Sequence, residues 1–471
     1  MSLVINGQRI ARAIHNGEVY SSLMFGNELI FGPYRILYYQ SGNVIGGTPI
    51  PTFKYRKTCS DLTFSSGWLD VSSGGTANSI TVYTGGKIYV SGGGTVNSTI
   101  VSRGGILFVI SSGMADSPVI NEYGRLFVYS GGTATNIVEN GGFVDVAEGA
   151  DVSFVPNTFS GLVLSGSMSL AVHSGTTATF TTVNGYSSTY YVGGMGSQIV
   201  FLSSCALHIS SGGKANGTTV NTMGYLYVSD GGVANNTTVN DKGYLCVSDG
   251  GVTNNTTVNN GGYLYVSDGG VVNNTDVSGD DDDYTSGTLL HVSSGGMANR
   301  TTVNIGGSMH IASGGTASGT TVNSKGYLYV SDGGIANGTT INNSCWMIVS
   351  SGGTAISANV KGSGMTVSSG GTAISTIVSR GGVLRVLSGV MADSTTVKSG
   401  GSLFISSGGT ANDNDINSGG TMYVSGGGTA DRTIVNSGGS LFVSGGGTAL
   451  NVVSMAGAFV NVGAGANFSY A

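Results

Sequence analysis

The residues best suited to chemistry in this sequence are carboxylates repeated at a fixed interval. Asp230, Asp249 and Asp268 stand in three SDGG segments, each 19 residues after the last. Asp280, Asp281, Asp282 and Asp283 are adjacent in SGDDDDYTSG. Oxygen ligands of this kind suit a hard cation such as Ca2+. Three carboxylates in register also repel one another unless water or a cation lies between them. The competing reading is structural. Adjacent aspartates in an extended chain alternate sides, and the i, i+2, i+4 spacing of an EF-hand, with its Gly and Glu, is absent. A solvated acidic loop then accounts for the run, and Ca2+ at the acidic turns or loop is the one cofactor these residues suggest.

Other reactive side chains are dispersed. The histidines are His15, His173, His208, His291 and His310, of which His291 and His310 occupy equivalent slots 19 residues apart. Tyr227, Tyr265 and Tyr329 share that slot, giving an aromatic row that could take a sugar or a partner chain; a purely structural ladder is the alternative. Glycoside hydrolysis needs two carboxylates at a set separation, whereas this chain varies mostly among Ser, Thr, Asn and Gly and has few glutamates. No nucleophile elbow, phosphate loop or zinc motif is present. The residues therefore indicate a protein that is not an enzyme.

What positions these residues is a repeat. The chain has 471 residues, of which 83 are Gly, 5 are Pro and 9% are charged. Collagen needs a Gly-X-Y period with abundant Pro, and a flexible Gly/Ser linker would lack regularly spaced aliphatics. Here the last Val or Ile of each YLYV-like segment recurs from Val71, Val90 and Val109 to Val424, Val443 and Val462. Of 20 intervals between such markers, 14 are 19 residues long, so periodicity governs the whole stretch. Two residues before the marker sits an aliphatic such as Ile88, Leu107 or Leu226; the residue between varies freely. That is period-2 alternation, the pattern of a strand with one buried face.

Six residues after the marker comes a small residue (Ala77, Ala115, Ala234), and eleven after it a Val (Val82, Val101, Val220) preceded by Thr at the alternate position (Thr218, Thr237, Thr256). Gly-Gly corners supply the positive φ that L-residues resist. One coil cannot bury its own apolar face, and stacking coils makes a continuous core. The expected fold is all-β: a single-stranded parallel β-solenoid, or β-helix, of about 21 coils spanning 61–471. Stacked at about 4.8 Å, these would form a rod on the order of 100 Å long. Asn221, Asn240 and Asn259 should form a corner ladder. Two 26-residue intervals imply loop insertions near 147–171 and 278–287.

Residues 1–60 differ in kind. They contain Arg9, Arg12, Arg35, Lys54, Arg56 and Lys57, together with Pro33, Pro49 and Pro51. INGQRIARAI, HNGEVYSSLMF and GNELIFG read as short strands joined by Asn-Gly turns. This is a small β head: a cap over the open edge of the solenoid or an anchoring domain. The net charge of −6 and pI near 5.3 oppose nucleic-acid binding. The N-terminus lacks a secretory signal pattern, and no apolar run is long enough for a membrane span. Cys59, Cys205, Cys246 and Cys345 are far apart and form no CxxC pair, and Cys246 fills a slot held elsewhere by Tyr or Phe.

Repeats such as SSGGTANSITVYTGGKIYV and SGGGTADRTIVNSGGSLFV resemble the glycine-rich passenger repeats of AIDA-type, self-associating autotransporter adhesins, over about 71–462. The resemblance implies an extracellular solenoid that promotes adhesion and self-aggregation and is a candidate for sugars on Ser or Thr. That family also carries a signal peptide and a terminal membrane β-barrel, and neither pattern is found here. The INGQ…NGEVY…GNELIFG series resembles short β domains that dock phage virion proteins. The favoured expectation is thus a non-enzymatic attachment fibre on a virion surface, such as a phage tail fibre or spike, anchored through 1–60 and binding a cell-surface glycan or receptor. The alternatives are an adhesin at the bacterial cell surface that self-associates, and a polysaccharide-degrading β-helix enzyme. Phage spikes imply a homotrimer, passengers a weakly associating monomer.

Overall fold

The computed structural model describes the backbone except at residues 1–2, 6–7, 11–12, 16–17, 21–22, 26–27, 32–34, 46–47, 57, 66, 73, 166–168, 180, 185–188, 211, 281–286 and 369; side chains are described from residue 58 onward, apart from those positions and 163–165, 169, 184, 189–191 and 201–203. The chain is all-β, a parallel β-solenoid in which the 19-residue period of the sequence is the length of one turn. It divides into two compact units, one comprising Met1–Thr182 and Ser187–Ser197, the other Val183–Tyr186 and Gln198–Ala471. That division falls inside the repeat region. Of the N-terminal strands, Arg35–Ile45 is hydrogen-bonded to the first coil, while Leu3–Ile5 with Gln8–Ile10 and Ala13–His15 with Glu18–Tyr20 form separate two-stranded sheets.

In the first unit, Arg35–Ile45 pairs antiparallel with both Thr48–Arg56 and the first solenoid strand, Trp68–Ser72. The exposed side of that strand thereby acquires a hydrogen-bonded neighbour of opposite direction, which blunts a sheet edge otherwise open to unspecific pairing. From there the strands are parallel: Trp68–Ser72, Lys87–Val90, Ile106–Val109, Arg125–Val128 and Phe143–Val146 pair in order, each residue opposite its counterpart one period later. Leu69, Val71, Ile88, Val90, Leu107, Val109, Leu126 and Val128 are buried from this side. Ala77, Val96, Ala115 and Ala134, with Val82, Val101 and Ile120, close the core from the other two strands of each coil. Alternation thus places every second residue inside, as the sequence pattern requires.

Residues 147–171, expected as a loop insertion, contain the strands Asp151–Phe154, Asn157–Ser160 and Val163–Ser165. Asp151–Phe154 pairs with Thr133–Asn140 through a register shift, and Asn157–Ser160 pairs with Thr176–Thr179. The extra residues lengthen the marker interval by adding strands. An interval count cannot distinguish that from a loop.

The second unit repeats the same plan from Ala206–Ile209 to Phe459–Val462. Its corners explain the SDGG segments. In Ser248-Asp249-Gly250-Gly251, Asp249 and Gly250 have φ of 48° and 75°, and the Gly251 N–H donates to the Ser248 carbonyl at 2.7 Å. Positive φ at both central residues matches a type I′ turn, which favours Asp-Gly. Side-chain amides stack alongside: the Asn240 amide donates to Asn221 at 2.7 Å and the Asn259 amide to Asn240 at 2.8 Å. A second ladder runs through Asn216, Asn235, Asn254, Asn273 and Asn299. The threonines two residues before each inward Val are themselves buried, among them Thr218, Thr237, Thr256, Thr275 and Thr301.

Candidate functional site

Period-2 alternation, which drives Leu and Val into the core, puts the intervening residues of the YLYV strands on one outward face. Parallel in-register pairing then aligns them in columns about 4.8 Å apart. In the second unit one column reads His208, Tyr227, Cys246, Tyr265, His291, His310 and Tyr329. The five expected residues, Tyr227, Tyr265, Tyr329, His291 and His310, therefore lie on one face. A neighbouring column, which the sequence reading did not single out, holds Tyr225, Tyr244, Tyr263, Tyr327 and Trp346. The signal for it was present, since the first and third residues of YLYV must point the same way.

The two columns form a stacked surface. Tyr225, Tyr244 and Tyr263 lie with ring centroids 4.8 and 4.9 Å apart and nearly parallel planes. His208 stacks on Tyr227 at 4.8 Å, and His310 meets Tyr329 at 4.6 Å. His291 and His310 are 6.4 Å apart at a tilt. Tyr225, Tyr265 and Trp346 are exposed, at 37%, 36% and 45%. Offset stacking contributes about 0.5–1.5 kcal/mol per pair beyond burial, so part of the row stiffens the sheet. The exposed parts of Tyr225, Tyr265 and Trp346 face solvent.

Trp346 owes its place to the next coil. A Cβ at Gly364 would sit 2.6 Å from the Trp346 ring, so the glycine leaves the space the indole occupies.

Several groups of the face are shifted toward their neutral forms. Burial pushes the phenols of Tyr227, Tyr244 and Tyr265 upward, with neighbouring phenol or thiol groups adding to it. Burial lowers the imidazole of His208, and burial together with the charge of His291 lowers that of His310. Burial raises the Cys246 thiol. Each shift disfavours the charged form, which suits contact with an uncharged surface.

The acidic residues that are described have local hydrogen-bond partners or turn geometry. Asp230 and Asp249 accept hydrogen bonds from the preceding Ser229 and Ser248 hydroxyls at 3.2 and 3.0 Å. Asp268 has the same left-handed backbone, with φ of 46°. Left-handed turn geometry suits Asp at these corners. Asp280 is exposed and accepts from the Asn260 amide at 2.7 Å, while Asp281, Asp282 and Asp283 lie outside the described residues. Among the described residues no three His, Cys, Asp or Glu side chains gather where a metal could be held.

One polar feature of the first unit was missed. Glu139 is fully buried in the inward slot that Ile120 fills one coil earlier. Its carboxylate accepts from the His173 backbone N–H at 2.9 Å and contacts His173 Nδ1 at 2.6 Å. The imidazole in turn stacks on Phe154 at 4.4 Å. A carboxylate among valine positions was a visible departure from the repeat, but its partner His173 lies beyond the irregular 147–171 stretch, where spacing gives no register.

Residues 388–439 match the family model described as "Adhesin of bacterial autotransporter system, probable stalk", known as AIDA. That segment is similar to the AIDA-type adhesin stalk. The matched AIDA-type segment contains the same inward Val, Ala and Leu positions as the coils before and after it. A solved structure described as "Crystal structure of TibC-catalyzed hyper-glycosylated TibA55-350 fragment" is 26% identical, with 88% of this chain and 98% of that chain covered and a TM-score of 0.23. No curated protein matches the chain.

Proposed function

We propose that this chain is a non-enzymatic adhesin solenoid, displayed at an extracellular cell surface, whose aromatic sheet face makes weak repeated contacts with a second copy. The observation that carries this reading is the pair of in-register columns Tyr225–Tyr244–Tyr263 and Tyr227–Cys246–Tyr265, part-exposed and uncharged on one flat face. A face repeated every coil offers many equivalent contacts, so modest individual interactions sum along the length. Tyr is suited to this because it brings large contact area with few rotatable bonds and a hydroxyl that stays wet. The AIDA-type stalk match favours this adhesin setting over the virion setting expected from residues 1–60. The same rows are also the surface on which a cell-surface glycan or receptor would be met.

Sedimentation velocity over a concentration series tests the reading. Wild type should show a concentration-dependent rise in sedimentation coefficient that the Tyr225→Ser/Tyr244→Ser/Tyr263→Ser variant loses. A variant that associates as wild type does would overturn it.

A further inference from the structure

Two imidazoles stand together in the outward column of the second unit. His291 and His310 pair directly across the adjacent strands Thr288–Val292 and Gly307–Ile311. Their ring centres are 6.4 Å apart at a tilt of 33°, and both side chains are half-buried. Their neighbours in the two columns are Tyr265, Leu289, Ser308 and Tyr329, none of which is a carboxylate or a cation. Imidazole nitrogen suits Zn2+, Cu2+ and Ni2+, so two imidazoles in register on neighbouring strands make a chelating pair. With Zn–N bonds of about 2.0–2.1 Å, two rings on one tetrahedral ion have their centres roughly 5 Å apart. A small rotation of the two side chains closes the pair to that spacing.

One copy supplies half of a closed zinc site. Such a site takes four protein ligands, and among the described residues no third His, Cys, Asp or Glu joins this pair. The column indicates where the other two come from. Along the solenoid it reads Tyr265, His291, His310, Tyr329, the same in either direction. A two-fold contact joins one surface patch to itself, so the patch must be self-complementary. A two-fold axis running along the strands between His291 and His310 satisfies that condition. It sets each histidine pair against the other copy's pair, and Tyr265 against the partner's Tyr329. We infer that His291 and His310 form half of a four-histidine site for Zn2+, completed by the same pair of a second, antiparallel copy. This takes from the proposed function that copies meet on this face, and adds a metal ion that controls how tightly they do so.

The full chain is sedimented over one concentration series in EDTA, in Zn2+ and in Mg2+. Zn2+ should strengthen association at least tenfold over EDTA, and Mg2+, which prefers oxygen ligands, should not. Calorimetric titration with Zn2+ should saturate at one ion per two chains. His291→Gln and His310→Gln should each remove the zinc response while keeping wild-type circular dichroism and wild-type association in EDTA. His208→Gln and Cys246→Ser, at other positions of the same column, should leave the response intact. Co2+ in place of Zn2+ should give wild type the intense visible absorption of a tetrahedral ion, and the His291 and His310 variants should lose it. One ion per chain without added association, a response indifferent to His291 and His310, or one lost with Cys246→Ser would each overturn the site. Association in EDTA that zinc does not change would overturn the site and spare the tyrosine contact. A zinc-dependent dimer from a chain that does not associate in EDTA would overturn the metal-free tyrosine contact and spare the site.

Discussion

Two adjacent glycines in one corner, Gly250 and Gly251, should respond very differently to the same substitution. Gly250 has φ of 75°, and a Cβ there would meet nothing within 4 Å. Its replacement by Ala costs only the left-handed backbone penalty, about 1–2 kcal/mol. At Gly251 the obstacle is space. An added Cβ would lie well inside contact with the Val228 carbonyl oxygen, 2.5 Å from its carbon and 3.0 Å from Ser229 N. That carbonyl accepts the Ser248 N–H at 3.0 Å, one rung of the ladder between coils. Relief requires the coils to part locally. A broken buried hydrogen bond costs about 1–3 kcal/mol and overpacking about 1–3 more, so Gly251→Ala should cost about 3–5 kcal/mol. Asparagine, which tolerates the left-handed region, should be milder than Ala at Gly250 and no better at Gly251. Urea unfolding followed by circular dichroism, with hydrogen exchange of the Ser248 amide, measures both effects. Equal losses at the two sites, or a greater loss at Gly250, would refute the division between backbone strain and steric exclusion.

Substitutions at two further positions probe the interior. The Thr237 hydroxyl is buried with no protein partner among the described residues. Thr237→Val keeps the shape and removes a desolvated group, so thermal unfolding should show it neutral or stabilised by about 1 kcal/mol; a clear loss would mean the hydroxyl is well satisfied. Glu139→Ala removes both the acceptor for His173 N–H and the partner of its imidazole, and should cost about 2–4 kcal/mol by the same assay. Glu139→Gln, which retains one acceptor oxygen, should cost less.

Much of the solenoid was readable because one rule generates it. Period-2 alternation in YLYV fixes Leu226 and Val228 inside and Tyr225 and Tyr227 outside, and the 19-residue period stacks like on like. That same rule made the His291–His310 adjacency visible before any coordinates. Three things escaped it. The strands within 147–171 were hidden because an interval between markers records length and not conformation. The left-handed backbone at Asp230 and Asp249, with their serine donors, is turn geometry that the repeat spacing does not carry. Glu139 broke the pattern visibly at an inward slot, yet its partner His173 lies beyond the irregular coil, where spacing gives no register.

The central claim is that the tyrosine face, and not the opposite sheet, is where copies meet. A photo-cross-linking benzoyl-phenylalanine placed at Tyr244 reports on that face, and one at Thr257, which points outward from the other sheet beside Asp276, reports on the alternative. Irradiation at a concentration where wild type associates should yield covalent dimer from the Tyr244 position and little from Thr257. Dimer from Thr257 alone, or equal yields from both, would contradict the account.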